Sequence, residues 1–280
     1  MGNQSVTSRE ILKVDLNGST EISDLLVVEE PLEIRVGYGL AEQREEFSLS
    51  VTMRTPGADE ELVRGFLVSE GIVRKREDII SVKHCANAKF PENTIRAELN
   101  YEIAFDSSDF RRNFFVSSSC GVCGKAVIEA VMKELPQQSD VPPARVDKEL
   151  LKNLLIRLKE KQNVFKHTGG LHASALFNHD GELLVLREDV GRHNALDKLV
   201  GVCQVKEIDM SDKILWLSGR IGLELVQKGV MSGVKTIVAL GAPSSLAVDL
   251  ANENMILLIG FLKNDSFNVY TEKESVVLSE

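Results

Sequence analysis

No apolar run in this 280-residue chain approaches the length that crosses a bilayer, so a membrane-spanning helix is not expected. The opening stretch, MGNQSVTSRE, lacks the basic-then-apolar pattern of a secretory signal. Met1-Gly2 starts like a myristoylation site, but Val6 stands where serine or threonine is needed. An excess of basic charge is also missing. The formal net charge of −9 disfavours non-specific nucleic-acid binding by the whole chain, while leaving room for a local basic pocket. Cysteine is scarce too: Cys85, Cys120, Cys123 and Cys203 are the full set. Without a signal they read as reduced thiols in a cytoplasmic protein. There is no internal repeat and no low-complexity tract.

What is present suits a folded protein. Hydrophobic residues make up 43% of the chain and charged residues 27%, enough for a packed core beneath a soluble surface. The length fits one large domain or two ordinary ones. The first third is strand-rich: the apolar run 25–28 leads into 29–36, which alternates apolar and polar as a half-buried strand should, and 47–54 repeats that pattern. Thr55-Pro56-Gly57-Ala58-Asp59 is turn chemistry, and Asp59 is placed to cap a helix over 60–69. Strands are expected over 79–82 and 94–105, and a helix over 125–135. After a polar, proline-rich loop comes a second helix over 148–162. From there strands and helices alternate. A hairpin joins 173–177 to 183–188 through Asn178-His179-Asp180-Gly181. Helices follow over 191–201, 222–231 and 244–254, and strands over 213–217, 236–240 and 255–261. Short links between these elements imply parallel pairing with right-handed crossovers. The expected fold is α/β (α+β overall). A smaller strand-rich N-terminal domain covers 1–109, and an α/β layered domain covers 110–280, with ligands at the carboxyl ends of its strands.

Chemistry concentrates in a few segments. Cys120-Gly121-Val122-Cys123 directly precedes an expected helix. A thiolate there gains from the helix dipole, from free backbone N–H groups and from Lys125, so a nucleophilic sulfur is favoured. A thiol pair at this spacing can form a disulfide, hold half of a metal site or pass a sulfur atom on. Zinc would need His84-Cys85 or Cys203 as well, since there is no second CxxC. His167-Thr168-Gly169-Gly170-Leu171-His172 offers backbone donors and two imidazoles to an anion. Residues 187–198 crowd Arg187, Glu188, Asp189, Arg192, His193, Asn194, Asp197 and Lys198 at a strand-to-helix junction. That is more polarity than capping requires, and it suggests a binding or catalytic rim. Ser218-Gly219-Arg220 follows an apolar strand and suits phosphate or carboxylate. Leu240-Gly241-Ala242-Pro243-Ser244 repeats the glycine-containing strand end. In the last such segment Phe261 can stack on a base and Lys263 can meet a phosphate. Read plainly, 263–266 is a hairpin turn.

Together these segments resemble a known family. The Glu30-Pro31-Leu32-Glu33-Ile34 strand, Thr55-Pro56-Gly57, Gly65-Phe66-Leu67 with Glu70-Gly71-Ile72, Cys120-Gly121-Val122-Cys123-Gly124, Thr168-Gly169-Gly170 with His172-Ala173, and Glu188 through Ala195 with Asp197-Lys198 look like the formate dehydrogenase accessory sulfurtransferases, FdhD/NarQ. The resemblance implies a cytoplasmic, dimerising sulfur carrier whose C-terminal domain is cytidine-deaminase-like. Such a carrier takes persulfide sulfur from a cysteine desulfurase. It passes the sulfur to the molybdenum cofactor in its bis-guanine-dinucleotide form before that enters formate dehydrogenase. Carried onto this chain, Cys120 is the persulfide-bearing residue and Cys123 its relay. Phe261, Leu262, Lys263, Asn264, Asp265 and Ser266 match the cofactor-binding stretch, and the polar loops add His172, Arg192, His193, Ser218 and Arg220 as cofactor-binding candidates. Lys263 stands where arginine is expected, keeping charge but losing the bidentate fork. No resident metal is implied. Two alternatives remain: a zinc-dependent deaminase-like enzyme, and a chaperone that holds the cofactor without moving sulfur. The first would need a glutamate two residues after a histidine, yet the chain reads His172-Ala173-Ser174, and Ser119 rather than proline precedes the cysteine pair.

Overall fold

A computed structural model of the chain describes residues 5–16, 18–108, 141–161 and 169–277. The chain opens with an antiparallel hairpin, β1 (Val6–Asp15) against β2 (Gly18–Val27), in continuous register from Val6↔Val27 to Asp15↔Gly18. The sequence pattern marks only its last few residues. Both faces of the hairpin are largely solvated, so no apolar alternation is imposed on it.

A four-stranded sheet follows, in the order β4 (Glu45–Arg54), β3 (Glu30–Tyr38), β6 (Thr94–Leu99), β5 (Ile79–His84). β3 and β6 are parallel and the outer pairs are antiparallel. Strand β6 stops at Leu99 rather than continuing to 105, because Asn100 turns back through a 2.8 Å bond from its N–H to the Asp78 carbonyl. Helix α1 (Asp59–Ser69) buries Leu62, Val63 and Leu67 in one core with Leu32, Ile34, Ile95 and Leu99. The expected Asp59 cap is not made. Ala58 holds the N-cap position in the left-handed region at φ 55, and both Asp59 carboxylate oxygens accept from the Arg54 guanidinium at 3.0 Å. Arg54 is fully buried, and an unpaired buried cation costs more than a missing cap. The expected stop at Glu70-Gly71-Ile72 does form. Gly71 takes φ 71, and the Ile72 N–H closes on the Leu67 carbonyl at 2.9 Å.

The second half is a six-stranded mixed sheet in the order β13-β12-β11-β10-β8-β9. Its strands are β8 (His172–Phe177), β9 (Leu183–Asp189), β10 (Ile214–Leu217), β11 (Thr236–Ala239), β12 (Leu257–Gly260) and β13 (Asn268–Val269). β10, β11 and β12 are mutually parallel, as the strand–helix alternation implies, while β8, β9 and β13 pair antiparallel. Helix α2 (Lys148–Lys161) is flanked by the short strand β7 (Val146–Asp147), which pairs with β14 (Val276–Val277). Alternation along the strands assigns the two faces. Ala175, Phe177, Trp216, Val238 and Ile259 pack with Leu151, Leu154 and Leu158 of α2. Leu176, Leu215, Leu217, Ile237 and Leu258 face the other way, toward α3 (Arg192–Val205), α4 (Leu223–Met231) and α5 (Ser245–Glu253). Ser244 caps α5 by accepting from the Ala247 N–H at 3.3 Å, as its position predicts. That second core is continuous with the core under the four-stranded sheet. The expected domain boundary at 109/110, the cysteine pair and the helix over 125–135 lie outside the described residues.

The contact joining the two sheets is the crossing of α1 and α3. A Cβ added at Gly65 would stand 1.8 Å from the Asp197 carbonyl oxygen, and one at Gly201 1.8 Å from that of Glu61. The backbones touch, so only glycine fits at either place. Gly201→Ala must push the helices apart and is expected to cost about 3 kcal/mol or more. Urea unfolding would read this as a lowered midpoint at unchanged slope.

Candidate functional site

Strand direction gathers the site. Because β10, β11 and β12 are parallel, their carboxyl ends share one edge of the sheet. β8 runs the other way, so its first residue, His172, lies at that edge, in register with Asp189 at the end of β9. The following loops are Ser218-Gly219-Arg220, 240–244 and 261–266, and the N-terminus of α3 adds Arg192 and His193. Strand ends of this kind are where open α/β sheets bind ligands.

Backbone hydrogen bonds lace these loops side by side. The Gly241 N–H donates to the Gly219 carbonyl at 3.2 Å, and the Phe261 N–H to the Gly241 carbonyl at 3.1 Å. A Cβ at Gly241 would meet the Arg220 nitrogen at 2.6 Å, so the close approach requires glycine. Phe261 sits at φ 53 with 41% of its surface exposed, its ring available for stacking. Lys263, Asn264, Asp265 and Ser266 are exposed on a turn closed by the Lys263 N–H to the Ser266 carbonyl at 2.8 Å. Leu262 differs: its side chain is buried in the core on the α2 side of the sheet, so it offers a ligand no side-chain surface.

His172 and Ser218 touch. The histidine Nδ1 lies 3.3 Å from the serine Oγ, which also accepts from the Ala173 N–H at 2.9 Å. Arg192 is next to them, its Cδ 3.8 Å from where a Gly219 Cβ would stand. Arg192, Arg220 and Lys263 are exposed and form no ion pair among the described residues. Arg35, Arg44, Arg54, Arg64, Arg96 and Arg187 are each salt-bridged. Three uncommitted cations along one edge of an acidic protein make a site for an anion. His193 is committed: its Nε2 meets Glu224 Oε2 at 2.9 Å, and that hydrogen bond, first among several causes, holds the Glu224 carboxyl below the usual range. Glu224 escaped the sequence reading. Its only signal is an acidic residue in the first turn of α4 behind Gly222.

The polar segment 188–198 divides in two. Arg192 and His193 face the rim, as expected. Asp189, Asn194 and Lys198 are buried and knit α3 to the turn after β4. Lys198 Nζ meets Asp189 Oδ2 at 2.6 Å and donates to the Thr55 carbonyl at 2.8 Å. Asn194 Nδ2 donates to the Met53 carbonyl at 2.7 Å. Asp197 is likewise internal, accepting from Ser69 at 2.8 Å and from Lys228 at 3.0 Å. Those four side chains hold structure rather than ligand. A cleft of about 430 Å³ opens elsewhere, at the start of α1 beside Lys83 and His84. Its carboxylates are already occupied: Asp59 by Arg54, Glu60 by Arg64 and Glu61 by Arg187.

Burial, then the positive charge of Arg192 and His193, pulls the His172 pKa below its ordinary 6.5, against the weaker opposite pull of Asp189. Folding therefore favours the neutral ring. Below pH 6.5 the unfolded chain binds a proton that the folded one resists, so this residue makes stability rise with pH until 6.5 and contributes nothing further above it. In His172→Asn the unfolding midpoint should vary less with pH in that acidic window. An unchanged slope would mean the ring titrates normally.

The two described thiols are poor nucleophiles. Burial pushes the Cys203 thiol up to about 12, despite Arg187 and Lys206. Cys85 is also raised, by burial first. A sulfur that reacts near neutrality must be a thiolate, so neither suits a carrier. Cys120 and Cys123 lie outside the described residues, as do His167 and Thr168. Among the described residues no three metal-ligating side chains converge. No helix there is long and apolar enough to cross a membrane.

Comparison with known proteins gives a consistent answer. A family model described as the FdhD/NarQ family matches residues 27–277. The sulfur carrier protein FdhD of Streptomyces coelicolor is 44% identical over 276 residues, covering 96% of this chain and 95% of that protein. The protein of the same name from Mycolicibacterium paratuberculosis is 43% identical, covering 98% of this chain and 99% of its own. That from Sulfurisphaera tokodaii is 43% identical over 257 residues, covering 91% and 92%. A crystal structure described as a formate dehydrogenase accessory protein of Desulfotalea psychrophila superimposes with a TM-score of 0.73. It covers 98% of this chain and 100% of that one at 21% identity, which speaks to the fold.

Proposed function

The chain belongs to the FdhD/NarQ family, and from that membership we propose that it is a sulfur carrier in the maturation of formate dehydrogenase. The observation that carries the reading is identity above 40% with sulfur carrier proteins along nearly the whole chain. In finer detail, Cys120 accepts sulfane sulfur from a cysteine desulfurase as a persulfide. Cys123 is the relay. The acceptor is the molybdenum cofactor in its bis-guanine-dinucleotide form, met here as a substrate. Sulfur is transferred to it before it enters the dehydrogenase, so the protein acts as a sulfurtransferase, in the cytoplasm and as a homodimer.

The physical chemistry supports this division of labour. With both described thiols driven toward the inert protonated form, the carrier role falls to the pair at 120 and 123. The acceptor carries two guanosine-diphosphate arms, and the edge of the six-stranded sheet offers what such an arm needs. Arg192, Arg220 and Lys263 supply uncommitted charge, and Phe261 supplies a half-exposed ring. The mixed sheet, with α2 on one face and α3 to α5 on the other, is compatible with cytidine-deaminase-like layering. The zinc-deaminase alternative gains nothing from the described residues. His172 leads into Ala173 and Ser174, with no glutamate at the required step.

The test is intact-mass analysis after incubation with a cysteine desulfurase and cysteine. The expected result is a mass gain of one sulfur atom, removed by dithiothreitol and mapped by peptide analysis to the 120–123 pair. No gain would refute the carrier reading, and a gain on Cys85 would refute the assignment of the sulfur to Cys120 and Cys123.

A further inference from the structure

Resting on the sulfur-transfer reading above, we propose that His172 meets the anionic acceptor as a neutral imidazole donating a hydrogen bond from Nε2. Ser218 is the positioning residue that fixes this tautomer.

The argument is one of donors and acceptors. A serine hydroxyl has one proton and two lone pairs. The Ser218 oxygen already accepts the Ala173 N–H at 2.9 Å, and the acceptor in reach of its own proton is His172 Nδ1 at 3.3 Å. In the proposed arrangement Ser218 donates to Nδ1 and the ring proton sits on Nε2; the reverse arrangement, with Nδ1–H donating to the second lone pair, would leave the hydroxyl proton with no acceptor among the described residues. Packing holds the ring in that orientation. A Cβ on Gly219 would stand 3.3 Å from Nδ1 and 3.4 Å from Cε1, so that edge of the ring lies against the glycine backbone. Nε2 makes no hydrogen bond among the described residues.

The charged groups facing the ring are Arg192 and His193 from α3 and Asp189 from β9. Burial first, then the electrostatic influence of Arg192 and His193 against the opposite pull of Asp189, favours the neutral form. The pairing has a chemical consequence. Arg192 supplies charge to the anion, and His172 supplies a directed donor that does not surrender its proton. A lysine there would add charge without fixing direction.

Two measurements test this. First, the imidazole nitrogen shifts of His172 at pH 7 should report a neutral ring protonated at Nε2. Ser218→Ala should mix the tautomers, and Ser218→Thr, which keeps the hydroxyl, should restore the single form. A ring that is cationic, or protonated at Nδ1, overturns the proposal. Second, guanosine diphosphate is titrated as the probe. His172→Ala should weaken its binding about tenfold or more. His172→Gln, whose amide N–H stands close to Nε2, should recover most of the loss. Equal binding by the unaltered protein and His172→Ala overturns this proposal while leaving the sulfur-carrier reading intact, since that is read by mass gain at residue 120. Failure of guanosine diphosphate to bind the unaltered protein overturns the acceptor assignment, and this proposal with it.

Discussion

Cells that depend on this protein for formate dehydrogenase should lose at least about 99% of that activity when Cys120 becomes alanine, because the substitution removes from the proposed carrier the atom that would hold the transferred sulfur. Binding of guanosine diphosphate at the sheet edge should survive, since the residues offered to it come from other segments. The same preparation should gain no mass from a desulfurase and cysteine. Two controls separate this from general thiol loss. Cys85→Ser and Cys203→Ala remove thiols that burial keeps protonated, and both should retain activity. Cys203 packs in the core at 2% exposure, so its truncation costs some stability but no chemistry. A protein that merely holds the cofactor makes the opposite forecast. There Cys120→Ala would mature the dehydrogenase normally, and that result would remove sulfur transfer from the account.

The parts of this molecule that could be read in advance are those with one apolar face. β3 and β4, helix α1 and the parallel run β10-β11-β12 each bury one face or fill a core, so periodicity marks them, while the 178–181 turn is marked by its Asp-Gly pair. The β1–β2 hairpin eluded the pattern because neither of its faces is buried, and backbone pairing alone leaves no hydrophobic record. The Asp59 cap failed for a related reason. Local rules assign a carboxylate at a helix start to the helix, but a buried arginine from β4 claimed it through tertiary structure. At the site, the strand-end loops were legible from glycine placement, since parallel strands bring their carboxyl ends together whatever their spacing along the chain. The Ser218–His172 contact spans 46 residues, and no local pattern encodes it. Nor could the sequence separate the two populations within 188–198. Helical spacing puts Arg192 and His193 at the open first turn of α3, while Asn194, Asp197 and Lys198 turn toward α1 and β4, and only the packing partner makes that distinction.

The largest loss of stability should follow from Asp189→Ala, although the residue stands one position past Glu188 in a segment that looks like a ligand rim. Asp189 is fully buried, and its two oxygens serve four donors. Oδ1 accepts the Gly191 N–H at 2.8 Å and lies 3.4 Å from Asn194 Nδ2. Oδ2 accepts the Thr55 N–H at 3.2 Å and meets the Lys198 ammonium at 2.6 Å. Alanine leaves that ammonium buried with the Thr55 carbonyl as its remaining partner among the described residues, and orphans two backbone donors. Removing one member of a buried pair costs roughly 3–5 kcal/mol, a large share of the roughly 5–15 kcal/mol that holds a typical domain. In a chain of this size that lowers the melting temperature by on the order of 10 °C. The double variant Asp189→Ala/Lys198→Met should recover much of the deficit, because it removes the stranded charge as well as its partner. Recovery would show that the cost lies in the uncompensated ammonium. No recovery would assign it to the Thr55 and Gly191 N–H bonds, which fasten the turn after β4 to the start of α3 and so set where Arg192 stands. A single variant that melts within about 2 °C of the unaltered protein, well short of the shift that losing a buried ion pair should produce, would mean that this clamp does not hold the two sheets together.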